Sequence, residues 1–269
     1  MEYFHGYNET EFKRLIHQAE FLSFKVFEHV HFKPGTVLLE PGCGVGAQTR
    51  VMLRRFPDLR IIAVDLSESA IKTAEAGFPD DLRDRVEFHC ADIFNFNPPQ
   101  AVDGVFLCWM LEHISEPVPL IKRLIEFIKP GGFFMATEVQ NNSLQIYPPQ
   151  AMLEKYWNAY NALQQSIGGD PFVGLKIPAY LHEAAAEKIE SVKARPGMFL
   201  NDNRDPEALE KMLDYWLNLL ESARGSLENK GLIDHGFFEN MKKHVQEVAK
   251  SKRGLFSYTF IQTLAILRN

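Results

Sequence analysis

The sequence predicts a doubly wound, mostly parallel α/β sheet of seven strands with an antiparallel last strand and helical insertions that form a lid. Three observations predict it. Runs of aliphatic and β-branched residues alternate with helical patterns through residues 36–139. The first such run ends in the glycine loop Glu40-Pro41-Gly42-Cys43-Gly44-Val45-Gly46. The chain closes on Phe256–Leu267, rich in β-branched and aromatic residues. Strands alternating with helices imply right-handed crossovers and a parallel sheet.

Apolar positions Phe12, Leu15, Ile16, Ala19, Leu22, Phe24, Val26 and Phe27 recur at helical spacing over residues 9–31. Pro34-Gly35 then breaks the chain, and Thr36–Glu40 reads as a buried strand running into the glycine loop. A helix over 46–56 stops before Pro57, and Arg60–Asp65 makes the second strand. Ser67 is placed to cap a helix over 67–78. Arg85–Cys90 is the third strand and Asp103–Leu107 the fourth. A helix over 116–129 leads through Lys129-Pro130-Gly131-Gly132 to a fifth strand, Phe133–Val139. Beyond residue 140 the rhythm changes. Pro148–Gln165 is helical, and Asp170 with Pro171 opens a helix to about 186. A strand near Lys188–Ala194, a helix from Asp205-Pro206-Glu207 and a helix over 237–252 precede the last strand.

Of the 269 residues, 46% are hydrophobic and 24% charged, a globular composition with material for one large domain. No apolar run reaches the roughly 18 residues a membrane span needs. The opening Met1-Glu2-Tyr3-Phe4-His5 lacks the basic start and apolar core of a signal peptide, so a cytoplasmic protein with no membrane partner is expected. Three cysteines, Cys43, Cys90 and Cys108, lack the pairing of a disulfide framework and the spacing of a zinc site, and no metal is expected. The 29 Lys and Arg against 35 Asp and Glu leave a charge of −6, which disfavours a nucleic-acid partner.

The glycine loop admits two cofactors. Gly42-x-Gly44-x-x-Ala47, with Asp65 downstream, satisfies a relaxed dinucleotide fingerprint and keeps an NAD(P)-dependent oxidoreductase open. Glu40 points the other way. A carboxylate roughly 5 Å from a pyrophosphate would cost on the order of 3 kcal/mol per charge at an effective dielectric near 20. A ligand carrying an ammonium and a sulfonium would be favoured by it.

Read as Gly42-x-Gly44-x-Gly46 after Glu40, the loop resembles motif I of class I (Rossmann-like) S-adenosylmethionine-dependent methyltransferases of the small-molecule type. Further stations carry the resemblance in order: Ala63-Val64-Asp65-Leu66-Ser67, Cys90-Ala91-Asp92-Ile93, the segment Asp103–Ile114 through Cys108 and His113, and the Lys129-Pro130-Gly131-Gly132 turn. The resemblance implies a donor pocket of Glu40, Gly42, Gly44, Gly46, Asp65, Leu66, Asp92, Ile93, Cys108 and His113. Asp65 would take the ribose diol, and Asp92 with its apolar neighbour the adenine. S-adenosylmethionine would be the cofactor and S-adenosylhomocysteine its product. Singly, Asp65 also stands where it would cap the next helix, and Asp92 where backbone amides would satisfy it.

A single domain over 1–269 follows: a lid helix over 1–32, a cofactor-binding half over 33–140, and helical insertions over 141–180 and 200–252 above the active site. Displacement at a sulfonium chiefly needs reactants held in line, so no catalytic constellation is required, and none is evident. Tyr3, His5, Tyr7, Arg14, Gln18, His113 and Glu138 are candidates by position only. The aromatic-rich insertions suit a small-molecule acceptor. Asn97-Pro98-Pro99-Gln100 resembles a nitrogen-methylating motif, but it precedes strand four and lacks the aromatic, so it reads as a turn. A non-catalytic binder of the same donor, and a monomer as well as a homodimer, stay open.

Overall fold

The apolar runs become strands because each can be buried on both faces of a central sheet. A computed structural model describes His5, Gly6 and residues 8–269; the candidates Tyr3 and Tyr7 lie outside the described residues. The first half runs α1 (Glu9–Val26), β1 (Val37–Pro41), α2 (Ala47–Arg55), β2 (Arg60–Asp65), α3 (Glu68–Gly77), the one-turn α4 (Asp80–Arg83), β3 (Val86–Cys90), β4 (Val102–Cys108), α5 (Pro117–Glu126) and β5 (Ile128–Val139). The second half runs β6 (Gln145–Tyr147), α6 (Ala151–Ser166), α7 (Ile177–Ala185), β7 (Ile189–Asp202), α8 (Pro206–Ser222), α9 (Arg224–Asn229), α10 (Phe237–Lys250) and β8 (Leu255–Leu267).

The sheet runs β3-β2-β1-β4-β5-β8, parallel from β3 to β5. β8 runs antiparallel to β5, and β7 pairs along the whole of β8. The sheet therefore has eight strands where the sequence predicts seven. The extra one, β6, has three residues and pairs with Leu255–Ser257, too short to show a period. Alternation splits the core. Leu38, Ile61, Ala63 and Phe106 pack under α1, α2 and the helices of the second half. Leu39, Ile62, Val64 and Leu107 pack on the opposite face against α5 and α7.

Other differences have local causes. β7 continues to Asp202 past Pro196 and Gly197, which resemble breakers in the sequence. Its free edge needs no N–H from proline. At Gly197 a Cβ would meet the Phe260 ring at 2.0 Å, so glycine is what lets that ring cross the strand. The helix expected from Pro171 starts only at Ile177, after a 3₁₀ turn at Gly174–Lys176. Asp170 instead accepts from the Phe172 amide at 3.0 Å and from Lys176 Nζ. That α7 belongs to the sheet's second face, so the cover over the site comes from α6 and α8. The helix before strand five ends at Glu126, not near 129. Lys129–Gly132 is an irregularity of β5, where the pairing jumps from Val102↔Ile128 to Gly104↔Phe133. Among the described residues no helix is long and apolar enough to cross a membrane.

Candidate functional site

The chain visits β1, β2 and β3, then crosses back to place β4 on the other side of β1, leaving a crevice at the strand ends. There the glycine loop turns sharply. The amides of Gly42 and Cys43 both donate to Val64 O, at 2.7 and 3.1 Å. Gly42, Gly44 and Gly46 take φ of 69°, 54° and 69°, the left-handed region open to glycine. At Gly42 a Cβ would also lie 2.6 Å from Met110 Cγ, so the missing side chain is what keeps the wall open.

The crevice is a cleft of about 420 Å³, roofed by Phe12, Leu15, Gln18 and Ala19 of α1. All the expected donor-pocket residues except Gly46 lie in its wall. Gly46 stands behind it as the residue before α2, packed toward Phe88 and Phe78. Among the described residues the wall carries Glu40, Asp65 and Asp92 and no Lys or Arg. Glu40 accepts from the Thr49 hydroxyl at 2.6 Å. Burial pushes its carboxyl up to about 8, so the standing charge ascribed to it from sequence is absent at pH 7. A cation set against it would draw that charge out. Asp65 accepts from the Gly44 amide (2.8 Å) and, through its other oxygen, from the Ser67 amide (2.8 Å), which ties strand two to the loop and leaves further lone pairs. Ser67 caps α3, as the sequence indicates. Asp92 accepts from Phe94 N and Asn95 Nδ2, both at 3.0 Å, so it shapes its own turn while lining the cleft. Gln48, also in the wall, has a buried Oε1 with no partner. Carboxyl and amide oxygens without a cationic side chain fit an ammonium and a ribose diol better than a pyrophosphate.

After β4 the chain enters a 3₁₀ turn, Leu111–His113. Trp109 precedes it at φ 53°, a conformation that costs a bulky residue about 1–3 kcal/mol and clusters at functional sites. Glu138, fully buried in β5, accepts from the amides of Met110 (2.9 Å), Leu111 (2.8 Å) and Glu112 (3.3 Å). It therefore holds this turn from behind and lines neither cavity, unlike the acceptor-facing position considered for it. Burial, then Glu112, raises its carboxyl to about 8.

A second chamber of about 80 Å³ adjoins the cleft. Leu15, Gln18, Trp109 and His113 border both cavities. Its walls come from α1 (Arg14), the β4 turn (Glu112), α6 (Trp157, Tyr160), α8 (Tyr215, Trp216) and β8 (Tyr258). Asn141 ties two of these pieces, α6 and β8, together. Its carbonyl accepts from Trp157 Nε1, its side-chain oxygen accepts from the Tyr258 hydroxyl, and its amide donates to Asn161 Oδ1, each at 2.8 Å. His5 bridges Ser222 Oγ (2.6 Å) and Tyr160 Oη (3.1 Å), and burial with the Arg14 cation keeps its imidazole well below the usual range. The Arg14 guanidinium is met by both oxygens of buried Glu11, at 2.7 and 2.6 Å, and by Gln18 Oε1. Glu11, Glu112 and Asn141 are absent from the sequence candidates. Nothing local marks Glu112 and Asn141, which acquire their neighbours only on folding, while the i,i+3 spacing of Glu11 and Arg14 on α1 is a signal that could have marked Glu11. The Asn97–Gln100 segment is an exposed turn ahead of β4. Among the described residues no group of three His, Cys, Asp or Glu side chains is placed to hold a metal.

Comparison with known proteins agrees with this geometry. Residues 39–136 match the methyltransferase domain family. A ubiquinone biosynthesis O-methyltransferase from Leptothrix cholodnii is 26% identical over 78% of this chain and 84% of its own length. A trans-aconitate 2-methyltransferase from Escherichia coli is 30% identical, but over only 54% of this chain, which thus spans about half of that relative's length. Among solved structures, Haemonchus contortus phosphoethanolamine N-methyltransferase 2, with phosphomonomethylethanolamine and S-adenosylhomocysteine, superposes with a TM-score of 0.59 at 13% identity. That match covers all of this chain and 61% of the other. The dinucleotide reading of the glycine loop finds no support in these matches. The match gives residues 39–136 as a methyltransferase domain, and in its sheet the chain is similar to solved S-adenosylmethionine-dependent methyltransferases.

Proposed function

We propose that the cleft holds S-adenosylmethionine and that the adjoining chamber holds a small organic acceptor, which receives its methyl group. The observation that carries this reading is the pairing of an acidic cleft, without Lys or Arg among its described lining residues, with a small aromatic chamber, the two meeting at Trp109 and His113. When bound, the cofactor supplies an electrophilic methyl group on a sulfonium. The chain supplies position. Glu40 and Gln48 face the ammonium, Asp65 the ribose diol, and Asp92 with Ile93 and Leu66 the adenine, on the Gly42–Gly46 backbone; Cys108 and His113 close the far wall. Holding donor and acceptor in line is worth roughly 7–11 kcal/mol of a displacement barrier. The α1 roof and the α6 and α8 walls exclude water from the junction.

A chamber of about 80 Å³ walled by helices, strands and turns from both halves of the chain leaves room for a small molecule and none for a folded macromolecule. Two of the similar proteins are named for ubiquinone biosynthesis and for trans-aconitate, both small organic compounds. Three free cysteines go with a reducing, cytoplasmic setting. The test is to incubate the protein with methyl-labelled S-adenosylmethionine and a cell extract, then separate products by size. Label is expected in the small-molecule fraction; label confined to protein or nucleic acid would overturn the acceptor class.

A further inference from the structure

The Leu111–His113 turn brings two titratable side chains together at the opening between cleft and chamber. His113 borders both cavities and Glu112 borders the chamber. Glu112 Oε1 lies 3.9 Å from His113 Nε2. We propose that His113 takes a proton from the acceptor while Glu112 holds the imidazolium, so that the acceptor is a hydroxyl compound methylated on oxygen. This rests on the proposed donor cleft.

The pair is held on several sides. Gln164 Nε2 donates to Glu112 Oε2 at 2.7 Å and to the Glu112 carbonyl at 3.2 Å. The Asp170 amide donates to the same carbonyl at 2.8 Å, and the Glu112 amide donates to Glu138. These bonds fix Glu112, the group that holds the imidazolium, and spare the cost of ordering it during reaction. Burial, followed by the Arg14 cation, lowers His113 to about 4, so its imidazole is neutral at pH 7. Burial raises Glu112 to about 7, so its carboxylate form is populated at pH 7 and above, where it can hold the imidazolium.

The surrounding charges select the acceptor. Burial first, and then the Arg14 cation that borders the chamber, push both His5 and His113 down. A desolvated wall that carries a guanidinium disfavours an ammonium and favours a developing oxyanion. The other titratable groups packed around the pair are Glu11 of α1, Tyr160 of α6, Tyr215 of α8, Tyr258 of β8, Glu138 of β5 and Cys108 of β4. Burial pushes these tyrosines and Cys108 up, so they stay neutral at pH 7. The step balances. The sulfur–methyl bond breaks with its electron pair on sulfur, an oxygen–methyl bond forms, and the hydroxyl proton passes to His113.

The test uses 4-nitrophenol, whose coloured phenolate reports where the proton sits, titrated against pH with the whole protein saturated in S-adenosylhomocysteine. We expect the bound phenol to ionise about one pH unit lower than in solution, a tenfold gain in phenolate. Glu112→Gln should abolish most of that gain, and Glu112→Asp should restore part of it. Benzylamine, of similar size, should bind at least tenfold more weakly. Failure of the phenol to bind, an unshifted ionisation, an unchanged shift in Glu112→Gln, or tighter binding of benzylamine would each overturn the proposal. The wild-type titration decides alone if Glu112→Gln does not fold. Failure of S-adenosylhomocysteine itself to bind would overturn the underlying donor reading instead.

Discussion

The cleft proposed for the donor and the chamber proposed for the acceptor share four border residues, yet they are built in different ways. The cleft is made largely of backbone. A run of glycines, three strand ends and the acids that follow them come from short contiguous stretches between residues 40 and 114. The chamber is made of side chains gathered from His5 to Tyr258, and much of its polar wall is tied together through Asn141, His5 and the Arg14–Glu11 pair, while the Trp216 Nε1 donor is buried without a partner. A backbone site is shaped by what the sequence omits, as at Gly42, and suits a ligand that does not vary. A side-chain site is redrawn by each substitution, and suits the partner that does.

The sharpest way to break this contrast is Gly42→Ala. The added methyl would meet Met110 Cγ at 2.6 Å in a backbone with φ 69°. Overpacking of about 1–3 kcal/mol and a left-handed penalty of about 1–2 kcal/mol predict roughly a hundredfold loss of S-adenosylhomocysteine affinity. Phenol binding in the chamber should change by less than a factor of about three. Calorimetry on both ligands checks it, and equal losses would show that the two cavities are not separable.

A smaller effect concerns Glu40. Its folded-state pKa is raised to about 8, so folding favours the protonated form; that stability is full below about 4.5 and lost as pH rises through 8. A bound ammonium reverses the preference and expels the proton. S-adenosylmethionine should therefore bind about tenfold more tightly at pH 8 than at pH 6, with proton release visible as a dependence of the calorimetric heat on buffer. Glu40→Gln should flatten that dependence. A flat profile in the wild type would remove Glu40 from the cation site.

The same division governs what could be read before folding. The alternation of elements, the glycine loop, Asp65, Asp92 and the Leu111–His113 segment were legible because strand ends and turns leave local signatures. Glu40 was legible as a residue but not as a charge, since burial beside Thr49 decides its protonation. Glu112 and Asn141 were not legible, because their partners lie 52 and 117 residues away, whereas Glu11 stands three residues before Arg14 at helical spacing, a local signal the sequence does carry. Trp109 at φ 53° is the same lesson in the backbone: no residue type predicts that strain, and only the packing of β4 against β5 holds it. The length of β7 was hidden for another reason. Pro196 and Gly197 break strands in general but suit an edge strand crossed by the Phe260 ring.

The central claim is that the acidic cleft above the glycine loop is built for the cationic methyl donor and not for a dinucleotide. Titration calorimetry of the wild-type protein with S-adenosylhomocysteine and, separately, with NADH tests it most directly. The account predicts saturable one-to-one binding of S-adenosylhomocysteine and no heat with NADH. Tighter binding of NADH would contradict it.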